Sequence, residues 1–93
     1  MPRPKKLRRV LFKPEVYYFK PQSVPLRFLE EVILTHDEIE ALRLVELEEM
    51  SQEKASEIMN ISQPTLSRIL NSARKKIADA IINGKAIRIN TDL

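Results

Sequence analysis

Five of the six prolines (Pro2, Pro4, Pro14, Pro21 and Pro25) fall within residues 1–25, and the sixth, Pro64, stands alone much later. Proline fixes φ and removes a backbone donor, so the first 25 residues cannot hold a long helix and favour an extended arm followed by short strands. Arg8–Phe12 and Val16–Phe19, rich in β-branched or aromatic residues, are the strand candidates, with Pro14 limiting them to a sheet edge. Val32-Ile33-Leu34 reads either as a third short strand or as the lead-in to a helix.

From Thr35 the period becomes helical. Thr35 with Glu38 three residues on forms a capping-box signature, so a first helix is expected to begin at His36 and run to about Glu49. Ile39, Leu42, Val45 or Glu46, and Leu47 or Met50 trace its apolar stripe, and Asp37, Glu38, Glu40, Glu46 and Glu48 are expected on a solvated arc. Ser51 can cap a short helix over about Gln52–Met59, and Asn60, which tolerates the left-handed conformation, suits a tight turn. Ser62 then caps a third helix whose first turn accommodates Pro64 and whose apolar residues (Leu66, Ile69, Leu70, Ala73, Ile77, Ala80, Ile81) recur until Gly84, the sole glycine, closes it. Ala86–Ile89 alternates as a final short strand would. The expected chain is mainly α: a basic arm and extended or β segment over 1–34, a three-helix unit over 35–84, and a C-terminal strand and tail over 85–93.

With 43% hydrophobic and 31% charged residues, the composition is that of one globular domain. No apolar run approaches the roughly 20 residues that span a bilayer, and the basic N-terminus lacks the apolar core of a secretory signal, so a cytoplasmic protein without membrane contact is expected. The absence of cysteine and the single histidine, His36, leave no thiolate nucleophile and no basis for a metal site or cofactor. The clustered carboxylates lack a partnering base, ligand or phosphate loop, so no catalytic residues are expected and the chain does not read as an enzyme.

The net charge of +3 is less informative than its distribution. Residues 1–13 carry six cations and no acid; Glu30 to Glu57 hold ten acids against Arg43 and Lys54; Arg68 to Arg88 hold six cations against Asp79. Two basic blocks around an acidic one point to a polyanionic partner held at two places.

A short helix, a turn and a helix opening with polar residues is the helix-turn-helix pattern. Counted from Gln52, the inward residues are Ala55, Met59, Leu66 and Ile69, with Asn60 at the turn, Ile61 at the inter-helix corner and Ser56 at the closest approach. The competing reading is an αα-corner with no nucleic-acid role. Against it stands the outward set, Gln63, Pro64, Thr65, Ser67, Arg68, Asn71 and Ser72, none of them acidic. Arg68 suits guanine, Gln63 or Asn71 suits adenine, and Pro64 and Ser67 share the base-facing surface. Ser62, Thr65, Ser72, Arg74 and Lys75 are candidates for phosphate contacts, with the local backbone as the alternative for Thr65 and Ser72 and the helix dipole for Arg74 and Lys75, and Arg3, Lys5 and Lys6 are candidates for an arm in the adjacent minor groove.

Taken together, Pro2-Arg3-Pro4-Lys5-Lys6, Arg8-Arg9-Val10, Tyr18-Phe19-Lys20-Pro21, Glu40-Ala41-Leu42-Arg43-Leu44, Ser51-Gln52-Glu53, Arg68-Ile69-Leu70, Ser72-Ala73-Arg74-Lys75-Lys76 and Gly84-Lys85-Ala86-Ile87-Arg88-Ile89 resemble a small prokaryotic family of uncharacterised proteins. The resemblance covers nearly the whole chain. It implies a wingless helix-turn-helix similar to region four of bacterial sigma factors, with Asn60 where glycine is usual at the turn, and it implies double-stranded DNA as partner. The missing other sigma regions argue against a sigma factor as such.

The leading expectation is a sequence-specific transcriptional regulator acting as a homodimer. Val10, Phe12, Val16, Tyr18, Ile87 and Ile89 are its candidate interface, unless they fold back over their own chain. The alternative expectation is an interaction module whose acidic helix 36–49 contacts RNA polymerase or another basic surface.

Overall fold

The computed structural model describes residues 17–90, and the expectations for Arg3, Lys5, Lys6, the Arg8–Phe12 strand, Val10, Phe12 and Val16 lie outside them. Over the described residues the fold is mainly helical, with three helices and a small three-stranded sheet. In chain order these are strand β1 (Tyr18–Phe19), a 3₁₀ turn (Leu26–Phe28), strand β2 (Glu31–Leu34), helix α1 (His36–Leu42) continuing as a π-helical turn (Arg43–Leu47), helix α2 (Gln52–Met59), helix α3 (Gln63–Asn83) and strand β3 (Ala86–Ile89).

Each helix begins where a side chain can satisfy its free N–H groups. Thr35 Oγ1 accepts the Glu38 N–H at 3.2 Å, and Glu38 Oε1 accepts the Thr35 N–H at 2.9 Å, completing the capping box. Ser51 and Ser62 do the same for α2 and α3, accepting from Lys54 and Thr65. Asn60 ends α2 in the left-handed region (φ 61°, ψ 46°), so the turn geometry left open by the missing glycine is met by asparagine. Gly84 ends α3 in the same way, at φ 67°.

The core joins Ala41 and Leu44 of the first helix to Ala55 and Met59 of α2 and to Leu66 and Leu70 of α3, with Ile58, Ile61 and Ile69 packed against it. The inward positions expected of α2 and α3 are therefore occupied as the spacing requires, and Ser56 is buried with its hydroxyl donating to the Glu53 carbonyl at 2.8 Å. Ile81 departs from expectation. It lies near the end of α3, where no element among the described residues covers its side, and is exposed like its neighbour Ile82.

The first helix departs most from the sequence reading. The Glu48 N–H reaches the Arg43 carbonyl at 2.9 Å, a five-residue step that inserts one extra residue into the turn. An extra residue rotates the remainder of the helix by roughly 100°, which turns Leu47 outward to 77% exposure. The buried stripe is centred on Ala41 and Leu44, with Leu42, Val45 and Met50 at its margin. Glu49 then takes a left-handed φ of 61°, and the helix ends before it. The expected solvated acidic arc is also corrected, because Glu38 and Glu40 are both buried.

Val32-Ile33-Leu34 forms a strand rather than a helical lead-in. The sheet order is β1-β3-β2, with β3 antiparallel to β1 and parallel to β2, in the register Tyr18↔Arg88 and Val32↔Ile87. Val32, Leu34, Ala86 and Ile89 are buried, and β2 and β3 both pack against α3. Tyr18, Ile87 and Ile89 belong to the chain's own sheet, with Ile89 buried and Tyr18 and Ile87 half-buried.

Candidate functional site

The expected site residues separate into two groups on α3. Gln63, Pro64, Arg68 and Asn71 are exposed, and Ser67 lies half-buried among them. At 100° per residue these five occupy one arc of roughly 140°, which adjoins the buried side of Leu66, Leu70 and Ala73 at Gln63 and turns away from it through Arg68. Among the described residues no hydrogen bond or ion pair engages the Arg68 or Asn71 side chain. Lys75 continues the same arc one turn on and is exposed. The face is rigid because its back is core: Leu66 and Leu70 are wholly buried, and the Ile61 N–H donates to the Ser56 carbonyl at 3.0 Å across the turn.

The second group is engaged inside the chain. Ser62 Oγ donates to Thr65 Oγ1 at 2.9 Å while accepting the Thr65 N–H, so both hydroxyls complete the helix cap. Ser72 donates to Glu38 Oε2 at 2.6 Å. Arg74 donates to Glu46 through Nε at 2.7 Å and through Nη2. Ser72 and Arg74, two of the candidates for phosphate contacts, are thus already bonded to carboxylates of the first helix.

Two clusters escaped the sequence reading. Lys76 donates to Glu38 Oε1 at 2.9 Å and to the Ile33 carbonyl at 2.6 Å, tying α3 to both the start of α1 and the exposed edge of β2. Burial pushes the Glu38 carboxyl up, but hydrogen bonds from Ser72, the Thr35 backbone and Lys76 outweigh it and hold the group below the usual carboxylate range. Arg43 grips the wholly buried Glu40 through Nε at 3.3 Å and Nη2 at 3.0 Å, and reaches Glu48 at 3.1 Å. Hydrogen bonding to Glu40, chiefly, raises the Arg43 guanidinium pKa further. The i, i+3 spacing of Glu40 and Arg43 was the available signal for this pair.

Of the acidic residues expected on helix 36–49 as a docking face, only Glu46, Glu48 and Glu49 form an exposed run, around Leu47. His36 is buried, and among the described residues its Nε2 has no hydrogen-bond partner. Among the described residues no three His, Cys, Asp or Glu side chains are placed to hold a metal ion, and no helix is long and apolar enough to cross a membrane. The exposed face of α3 offers a guanidinium, two carboxamides and an ammonium, with no carboxylate from Gln63 to Lys75 and Asp79 one turn beyond. Such a set can donate to base edges and phosphate oxygens over a span of about 20 Å.

Residues 1–92 match the model of the family described as protein of unknown function DUF134. A UPF0251 protein of Thermoanaerobacter pseudethanolicus is 56% identical over 89 residues, covering 96% of this chain and 75% of that protein. A UPF0251 protein of Caldanaerobacter subterraneus is 57% identical over the same length, with the same coverage. One from Moorella thermoacetica is 58% identical over 89 residues, 60% of its own length. No solved structure matches the chain.

Proposed function

The chain belongs to the DUF134 family of proteins of unknown function, and we propose that it is a sequence-specific DNA-binding protein, a transcriptional regulator without catalysis, that reads the major groove with the first turns of α3. The observation that carries this reading is the arc of Gln63, Pro64, Ser67, Arg68 and Asn71: exposed or half-exposed, free of acids, and backed by a wholly buried Leu66 and Leu70. A rigid helix that leaves its longest hydrogen-bonding side chains unused has kept them for a partner outside the chain. In this reading Arg68 bonds a guanine through O6 and N7, Gln63 or Asn71 bonds an adenine, and Lys75 contacts phosphate. The succession of α2, the Asn60 turn and α3 is taken as sigma-region-four-like.

The proposed working form is a homodimer, since one such helix reads only a few base pairs and a second copy couples two half-sites about one helical turn apart. Selection of duplexes from a random library by the full chain, followed by footprinting, tests the proposal. Enrichment of a short motif, repeated with two-fold symmetry, is expected. Recovery of unenriched sequence by a folded protein contradicts it.

A further inference from the structure

Three polar residues of α3 are answered by carboxylates of the first helix. Ser72 and Lys76 bond Glu38, and Arg74 bonds Glu46. Arg74 is the informative member. It comes seven residues after Ser67 and three after Asn71, so it stands on the same line of the helix, one turn beyond the proposed base-reading residues. A cation there is placed for the DNA backbone. Instead it donates twice to Glu46 Oε2, with both side chains nearly half exposed (46% and 47%), so the pair sits in solvent where another anion can compete for it. The next cation, Lys75, makes no hydrogen bond or close ion pair among the described residues, although its charge acts on Asp79 one turn further on.

We propose that Glu46 is an intramolecular competitor for phosphate: it occupies Arg74 and thereby lowers the sequence-independent part of DNA affinity. This role rests on the proposed DNA-binding function. An exposed ion pair contributes only about 0.2–1 kcal/mol, so Glu46 restrains Arg74 without locking it. Its own negative charge, held beside the groove-facing arc, adds repulsion toward any duplex not anchored by base contacts.

The test is a titration of the full chain with a labelled duplex of arbitrary sequence, at several salt concentrations, for the wild type, Glu46→Gln, Glu46→Gln/Arg74→Ala and Glu48→Gln. Glu46→Gln is expected to bind about two- to fivefold tighter at low salt, with the logarithmic salt slope steeper by about 0.9, one released counterion. The double variant should lose that gain. Glu48→Gln makes the same change in net charge at a carboxylate paired with Arg43 rather than Arg74, and should gain less and leave the slope as it was. A gain equal in Glu48→Gln, or retained without Arg74, overturns the competitor role while leaving DNA binding intact. No binding by the wild type or by any variant, with helicity retained, removes the DNA-binding function itself.

Discussion

The first helix and α3 both carry many polar side chains and use them in opposite directions. The carboxylates of Glu38 and Glu40 turn inward and are bonded within the chain, by Thr35, Ser72 and Lys76 in one case and by Arg43 in the other. Arg68 and Asn71 on α3 point outward and are bonded by nothing among the described residues. Polarity alone therefore says little about where a side chain goes. Whether its hydrogen bonds are already made within the chain is what separates a structural polar group from one available to a partner.

The sharpest way to break this comparison is to remove a bonded group and an unbonded one. Arg43→Ala leaves the buried Glu40 carboxylate unpaired, and stability should fall by about 3 kcal/mol in denaturant unfolding. Replacing both, as Glu40→Leu/Arg43→Met, should recover most of the loss, since the cost lies in the orphaned charge. Arg68→Ala should change stability by less than about 0.5 kcal/mol. Equal losses from Arg43→Ala and Arg68→Ala would erase the distinction.

A second contrast lies within α3. Arg68→Ala should weaken binding to the selected site by about 1–3 kcal/mol and relax preference at one base pair, whereas Lys75→Ala should weaken all sequences alike and make the salt slope shallower by about 0.9. Competition assays with the selected and a scrambled duplex separate the two. If Arg68→Ala loses equally on both duplexes, its contact is with phosphate.

The smallest expected effect concerns pH. Because the folded Glu38 carboxyl is held below its ordinary value of 4.5, its contribution to stability is complete above that value and is lost as pH falls through the lowered folded one. Thermal unfolding monitored from neutral pH into the acid range should show the wild type losing more stability than Glu38→Gln, by about 1–2 kcal/mol. Parallel acid limbs would show that Glu38 gains nothing from Ser72 and Lys76.

Much of the helical fold was legible because local chemistry specifies it. Thr35 and Glu38, Ser51, Asn60, Ser62 and Gly84 each announce a helix end through a bond or a backbone angle that few other residues supply. The inward residues of α2 and α3 came from the 3.6-residue period. The π turn was not legible: its extra residue has no signature in Arg43–Leu47, and missing it shifted the expected stripe of the first helix. Glu38 and Glu40 were misplaced because carboxylates are usually exposed, and beyond the Thr35 N–H the partners that make burial of Glu38 tolerable, Ser72 and Lys76, are distant in sequence. For the same reason the exposed arc around Arg68 could be read from spacing, while the withdrawal of Arg74 and Ser72 depended on contacts across about thirty residues of chain.

The central claim, that the unbonded face of α3 binds DNA, is tested most directly by measuring the anisotropy of a labelled duplex as the full chain is added, from about 50 to 200 mM salt, with circular dichroism recorded on the same samples. The account predicts saturable binding whose logarithm falls linearly with the logarithm of salt, and which Arg68→Ala weakens while helicity is unchanged. Fully helical protein that leaves the anisotropy flat at the lowest salt would contradict it.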